Sequence, residues 1–377
     1  MSLLLNEDQI MLKQSAEEFV RDKSPLSRLR GLREGQGNGS SLSLWKEMAG
    51  LGWHGILVPE QYGGLGLGYT EMACVLEACG RTLAPEPLLS TLLLGANAVL
   101  LAGSEEQKSE ILAAVAGGER LLALAYQERG SRYDPLYCTT SAEKTEDGYL
   151  LSGQKTLVYD ASSADFLIVS ARLAGAQADA EGLGLFLVEA DTPGLEIVAQ
   201  STMHLRPAAL VKLNDVKVDA AARLGDEAGE ILGQVIDRAT LGLCAEMLGN
   251  MQAAFDMTME YLKTRTQFGV PIGSFQALKH RAACLFVEIE LSRSAVMGAC
   301  EAIDQGREDF KEAVSVAKAR CSDTAVLAGY EGIQMHGGIG MTDEHDIGFF
   351  AKRARGSELT FGDAAYHRDR FAGLQGF

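Results

Sequence analysis

The sequence predicts a multi-domain, mainly α protein with a small β domain in its middle, and three observations carry that prediction. Apolar residues recur at helical spacing up to about Gly118, the period drops to two between about Leu121 and Val218, and long helical stripes return from Asp226 onward. The chain has 377 residues, 47% of them hydrophobic, which is too much for one ordinary core and enough for two or three packed units. The boundaries fall at 1–120 for a helical N-terminal domain, 121–225 for the β domain and 226–377 for a helical bundle.

In the first segment Ile10, Leu12, Ala16, Phe19 and Val20 sit near helix spacing, and Ser43, Thr70 and Ser104 lie close to helix starts. Two glycine-rich breaks interrupt it, Gly35 to Ser41 and Pro59 to Gly66. The apolar stretch Thr91 to Ala102 is too short to span a bilayer and reads as a buried helix. In the second segment Leu121–Tyr126, Tyr149–Leu151, Thr156–Tyr159, Phe166–Ser170, Leu185–Val188, Leu195–Ala199 and Leu210–Val218 read as short strands, with turns at Asp147-Gly148 and Pro193-Gly194. In the third, Ile231, Val235, Ala239, Leu243, Met247, Met251, Phe255, Met259 and Leu262 draw one apolar stripe along a helix, and similar stripes follow. A four-helix bundle is the natural closure.

Composition excludes several classes. With 51 acidic against 34 basic residues the formal charge is −17, which repels nucleic-acid backbones and anionic lipid at long range. The seven cysteines are scattered without a CxxC pair, so they read as buried thiols of a reducing compartment and neither a disulfide frame nor a metal site. The start shows no basic region followed by a long apolar one, so cytoplasm is the expected location.

Two stretches are dense in ligand-binding chemistry. Around Arg265-Thr-Gln267-Phe268-Gly269-Val-Pro271, followed by Phe275-Gln276, a loop joins two helices; Arg265 offers a planar fork to a phosphate, Gln267 an amide, and Phe268 an aromatic face. The same residues also suit a plain helix connection whose phenylalanines fill core. Gln334-Met335-His336-Gly337-Gly338-Ile339-Gly340 lets a ligand approach backbone N–H groups closely, or simply ends a helix. His336 by itself reads as a hydrogen-bonded turn residue.

In this order the two stretches closely resemble the R-x-Q-F-G-x-P-I-x-x-F-Q and Q-x-x-G-G-x-G signatures of acyl-CoA dehydrogenases, and the resemblance extends over essentially the whole chain. It implies that family's fold: a helical N-terminal domain, a β-barrel or sandwich in the middle, and a four-helix-bundle C-terminal domain. It also implies FAD as cofactor, an acyl-CoA substrate, electron-transfer flavoprotein as electron acceptor, and a dimer or tetramer. By the same resemblance Arg265, Gln267, Phe268 and Gln276 meet an FAD held by a neighbouring subunit, and Gln334, Gly337 and Gly338 lie against its adenosine diphosphate part. The implied reaction is α,β-dehydrogenation of the thioester, in which a carboxylate removes the α-proton and hydride passes to the flavin.

The sequence departs from the family at two places. The segment that normally binds the flavin ring reads Ala125 to Asp134, with Glu128 and Ser131 as the residues that echo the pattern, and a tryptophan-bearing segment reads Leu157-Val158-Tyr159. At the two positions where family members carry the catalytic base stand Phe361 and Ala239, neither of which takes a proton. Asp363 and Glu358 are the nearest substitutes, with a helix cap as the plainer role for Asp363. These departures are similar to those of the small subunit of pimeloyl-CoA dehydrogenase and of heteromeric steroid acyl-CoA dehydrogenases. The competing expectations are a partner subunit lacking the base, a self-sufficient homo-oligomer using Asp363, and a flavin-free acyl-CoA-binding protein.

Overall fold

The computed structural model describes residues 4–34, 41–226 and 228–377, so the break expected at Gly35–Ser41 lies, apart from Ser41, outside the described residues. The α-helices are α1 (Glu7–Lys23), α2 (Leu26–Arg33), α3 (Leu42–Gly50), α4 (Tyr69–Thr82), α5 (Asn97–Ala102), α6 (Glu105–Gln107), α7 (Ala113–Ala116), α8 (Ala228–Thr264), α9 (Gln276–Asp304), α10 (Phe310–His336), α11 (Ile347–Leu359) and α12 (Ala364–Leu374). The strands are β1 (Leu122–Ala125), β2 (Ser141–Lys144), β3 (Gly148–Tyr159), β4 (Phe166–Arg172), β5 (Leu183–Glu189), β6 (Leu195–Gln200), β7 (Ala208–Asp219), β8 (Arg223–Leu224), β9 (Thr266–Gln267) and β10 (Val270–Pro271). The chain divides into two compact units. One gathers α1, α2, α4 and residues 240–377; the other gathers α3, the loop to Leu67, and residues 85–239.

In the helical unit α1 starts on a capping box, with Asn6 and Gln9 each accepting the other's backbone N–H at 2.9 Å. The N-terminus of α4 is capped from a distance: the Asp304 carboxylate, at the end of α9, accepts the N–H groups of Tyr69 (2.6 Å) and Thr70 (3.1 Å) and the Thr70 hydroxyl (2.8 Å). From Ala239 to Met251 every residue of α8 is buried, so this stretch is an all-round core helix and not the single stripe that the spacing predicts. Its buried polar groups are answered by α11, where Arg353 meets Glu246 at 3.0 Å and the Phe350 carbonyl accepts from Asn250 at 3.3 Å.

Helices α4 and α8 touch backbone to backbone. A Cβ at Gly80 would stand 2.0 Å from the Glu246 carbonyl oxygen, and one at Gly249 would stand 1.9 Å from that of Glu77. This reciprocal pair sets the spacing of the two helices.

In the other unit an eight-stranded mixed sheet runs β6-β7-β3-β2-β4-β5-β8, with β1 parallel to β4. The expected strands Tyr149–Leu151 and Thr156–Tyr159 are one strand, β3, which pairs with β7 through two register shifts. β2 carries one buried residue, Ala142, among polar ones, so apolar spacing gives no sign of it. The stretch Thr91 to Ala102 lies within a π-helical run, Leu88–Ala96, continued by α5. Among the described residues no helix is long and apolar enough to cross a membrane.

Replacing Gly80 or Gly249 with alanine is expected to lower the unfolding free energy by about 2–4 kcal/mol in urea titration, despite the ~1 kcal/mol that alanine gains in a helix. A loss below about 0.5 kcal/mol for both would show that α4 and α8 can part freely.

Candidate functional site

The two ligand-chemistry stretches meet in the helical unit. α8 ends one turn after Tyr261, whose carbonyl accepts the Arg265 N–H at 2.9 Å, and α10 ends at His336. The Tyr261 and His336 rings stack with centroids 4.5 Å apart, and His345 closes on His336 at 4.4 Å. The aromatic stack therefore ties the root of the Arg265 loop to the root of the glycine turn.

Beyond Tyr261 the chain forms a small hairpin, β9 paired with β10, closed by the Ile272 N–H donating to the Arg265 carbonyl at 2.8 Å. Phe268 (φ 52°) and Gly269 (φ 82°) form its two-residue tip, both left-handed as a type I′ turn requires. An aromatic residue is strained there, and Phe268 is 91% exposed, touching edge-on the ring of Phe275. Arg265, Gln267 and Gln276 are exposed with it. The bland alternative, a loop whose phenylalanines fill core, does not describe this hairpin: its ring points to solvent.

Beyond His336 the turn begins at Gly337 (φ 66°). A Cβ at Gly338 would meet nothing within 4 Å, so no atom of the chain itself requires glycine at that position. Gln334 is exposed beside it. His336 is 3% exposed; its Nδ1 lies 2.7 Å from the Gly332 carbonyl, and its Nε2 is buried without a partner. Burial pushes its ionisation down, so the ring is neutral near pH 7, and Nδ1 carries the proton that the carbonyl accepts. The next segment is pinned by α2: Arg30 donates to the Asp343 carbonyl at 2.8 Å and pairs with Asp346, and Arg33 pairs with Asp343. An exposed guanidinium, an aromatic tip and an open glycine backbone suit a flat-ringed, anionic ligand such as a dinucleotide.

Glu128 and Ser131 go elsewhere. The Glu128 carboxylate is buried in the β unit, where it accepts from Lys155 Nζ (2.7 Å), the N–H groups of Thr139 (2.7 Å) and Thr140 (3.0 Å), and both of their hydroxyls. Ser131 donates to the Glu128 carbonyl at 2.9 Å. Both side chains fasten the loop between β1 and β2. Burial pushes Glu128 up, but the Lys155 charge and the four other donors outweigh it and hold the carboxyl at about 2. Leu157, in the second register shift of β3, is left-handed (φ 50°) and 43% exposed.

At the two base positions the structure keeps apolar side chains: Ala239 is fully buried in α8, and Phe361 (φ 60°) is 8% exposed in the turn between α11 and α12. Asp363 caps α12, accepting the Tyr366 N–H at 2.8 Å, and Glu358 pairs with Arg355. The cap is the plainer role that spacing already suggested for Asp363. Sequence reasoning missed the aromatic stack, the arginines of α2 and a buried lysine, Lys318, because each acts through tertiary contacts. Among the described residues there is no cluster fit for a metal ion.

Family models match the chain from end to end: "Acyl-CoA dehydrogenase, N-terminal domain" at 6–119, "middle domain" at 123–216 and "C-terminal domain" at 229–373. "Probable acyl-CoA dehydrogenase YngJ" of Bacillus subtilis (strain 168) is 31% identical over 376 residues, 98% of each chain. A solved variant of the Tcur3481–Tcur3483 steroid ACAD is 34% identical over 98% of each chain, with a TM-score of 0.87. The ChsE4–ChsE5 complex from Mycobacterium tuberculosis is 28% identical over the whole of each chain, with a TM-score of 0.90.

Lys155→Met, which strands the Glu128 carboxylate, is expected to cost about 3–5 kcal/mol in stability, while the double replacement Glu128→Leu/Lys155→Met recovers most of it. Glu128 titrates below its ordinary value of 4.5, so its contribution is full above that pH and is lost as pH falls toward 2. Denaturation curves taken from pH 6 to 2.5 should show this slope in the native chain and lack it in the double variant; equal slopes would refute the assignment.

Proposed function

The chain belongs to the acyl-CoA dehydrogenase family, and from that premise we propose that it is the base-lacking subunit of a heteromeric, FAD-linked acyl-CoA dehydrogenase. The observation that carries the reading is a mismatch within one chain. The exposed hairpin and glycine turn are intact, while Phe361 and Ala239 stand where a proton acceptor is needed and Asp363 is spent as a cap.

The cofactor is FAD, which when bound accepts hydride from the β-carbon of the thioester. In this reading Arg265 forks onto a phosphate, Gln267 and Gln276 offer amides, and the Phe268 ring lies along the flat face of a flavin held chiefly by a second, base-bearing subunit. Gln334 and the backbone at Gly337 and Gly338 face the adenosine diphosphate end. Strain at Phe268 and its exposure support an external partner for the tip. The altered loop after β1 and Leu157 support a flavin-ring side that this chain does not complete alone. The ChsE4–ChsE5 complex and the paired Tcur3481–Tcur3483 steroid ACAD, both of similar sequence, support a heteromer of the kind formed by the small subunit of pimeloyl-CoA dehydrogenase. Electrons leave to an electron-transfer flavoprotein, and the assembly works in the cytoplasm. The division 1–120, 121–225 and 226–377 belongs to the same reading and is supported by the family-model limits.

The visible spectrum of the chain purified alone is expected to show little flavin, and co-expression with a family member carrying the glutamate is expected to yield a yellow, active complex. Arg265→Ala in that complex should weaken FAD retention by about ten-fold or more, the worth of a charge-assisted hydrogen bond. Stoichiometric FAD and turnover in the isolated chain would overturn the heteromeric reading.

A further inference from the structure

The turn from Glu358 to Gly362 is held from two sides by buried side chains that the proposed function does not use. On α10, Lys318 is fully buried, and its Nζ donates to the carbonyls of Gly362 at 2.6 Å and Glu358 at 2.8 Å and reaches the Ser322 hydroxyl at 3.1 Å. Among the described residues no carboxylate pairs with it. Its charge faces carbonyl oxygens at the C-terminal end of α11, where the helix dipole favours a cation. On α12, His367 is 2% exposed and its Nε2 lies 3.0 Å from the Phe361 carbonyl. Burial, reinforced by the Lys318 charge, brings His367 to about 3, so the ring is neutral and Nε2 carries the proton donated to that carbonyl.

Three carbonyls of one five-residue turn are thus fixed by two side chains from two other helices. The turn they fix is one the chain does not adopt easily: Phe361 is left-handed at φ 60°, and Gly362 at φ 111° passes so close to α12 that a Cβ would stand 2.3 Å from the Tyr366 ring. A buried ammonium held only by neutral oxygens is costly, and a plain helix end needs no such arrangement. Three hydrogen bonds from Nζ and the dipole of α11 offset part of that cost, and their geometry fixes the turn.

We propose that Lys318 and His367 are positioning residues that preset the side chain at position 361, so that the frame of a proton-accepting site persists in this chain without the acceptor. This rests on the reading that residue 361 stands where the family's base stands. Two consequences separate the inference from that reading. The frame is local, so loss of either clamp frees the turn without loosening the sheet. And a carboxylate installed at 361 is presented productively only while the clamp is intact.

Hydrogen–deuterium exchange of the full chain tests the first. Lys318→Met and His367→Phe should each speed exchange in the peptide covering 358–364 by about ten-fold or more, the worth of one or two lost hydrogen bonds, with the β-sheet peptides unchanged. His367→Gln, which keeps a donor near Nε2, should restore most of the protection. Uniform acceleration over the chain, or none in this peptide, would overturn the clamp; should Lys318→Met fail to fold, His367→Phe and His367→Gln carry the same decision. The second arm places Phe361→Glu in the complex assembled with a partner whose own catalytic glutamate is replaced by glutamine, and follows solvent deuterium entering the α-carbon of a saturated acyl-CoA by mass spectrometry. Deuterium should enter with Phe361→Glu and fall at least about ten-fold when Lys318→Met is added, with KM for the thioester unchanged. No deuterium with Phe361→Glu, together with a turn that still loosens in the clamp variants, would refute the reading of residue 361 and leave the clamp standing. Equal deuterium with and without Lys318 would overturn the positioning role.

Discussion

The full burial of α8 between Ala239 and Met251 is the constraint from which much of the helical unit follows. A helix surrounded on every side can carry no unanswered polar group. Glu246 and Asn250 are answered by Arg353 and the Phe350 carbonyl, which seats α11 against α8; Gly80 and Gly249 let α4 close on α8 at backbone distance. With α8 held so firmly, its last turn is a fixed post. Tyr261 stands on that post, and through its ring His336 and the end of α10 are placed. The hairpin and the glycine turn are therefore loops in sequence but are rooted on rigid elements, which is what a shared binding surface requires.

The same logic explains what became of the β-unit echoes of the flavin site. Glu128 is surrounded by five donors from Lys155, Thr139 and Thr140, as many contacts as a carboxylate's lone pairs can usefully receive. Such a group binds its own loop. Two large apolar residues, Leu157 and Phe268, hold left-handed backbone while exposed. Strain of that kind persists only where the surroundings enforce it. The hairpin register and the β3–β7 register shift are those surroundings.

Much of this was legible in the sequence where the information is local. The change from helical to two-residue spacing near Leu121 and back near Asp226 marks where the strands begin and end, because amphipathic faces leave a period. The joining of Tyr149–Leu151 to Thr156–Tyr159 was not legible, since a register shift is negotiated with β7 and not within β3. Strand β2 was hidden because only Ala142 faces the core. The cap on α4 comes from Asp304, more than two hundred residues away, and no spacing rule reaches that far. At the site, residue types and order pointed to the hairpin and the glycine turn, yet the contact that unites them, Tyr261 on His336, is a tertiary fact.

Residue 361 is best understood through what surrounds it. A base lost from an ordinary turn would leave that turn free to relax, and a left-handed phenylalanine would be among the first strains released. Here it is retained, with Lys318 and His367 buried to hold it and Asp363 starting α12 immediately afterwards. Asp363 cannot move toward residue 361 without uncapping α12, and Glu358 is turned to Arg355. The apolar side chain at 361 thus sits on a backbone that is set by other residues. A subunit that gives up the chemistry while keeping the frame can still present to its partner the surface on which a shared active site is built.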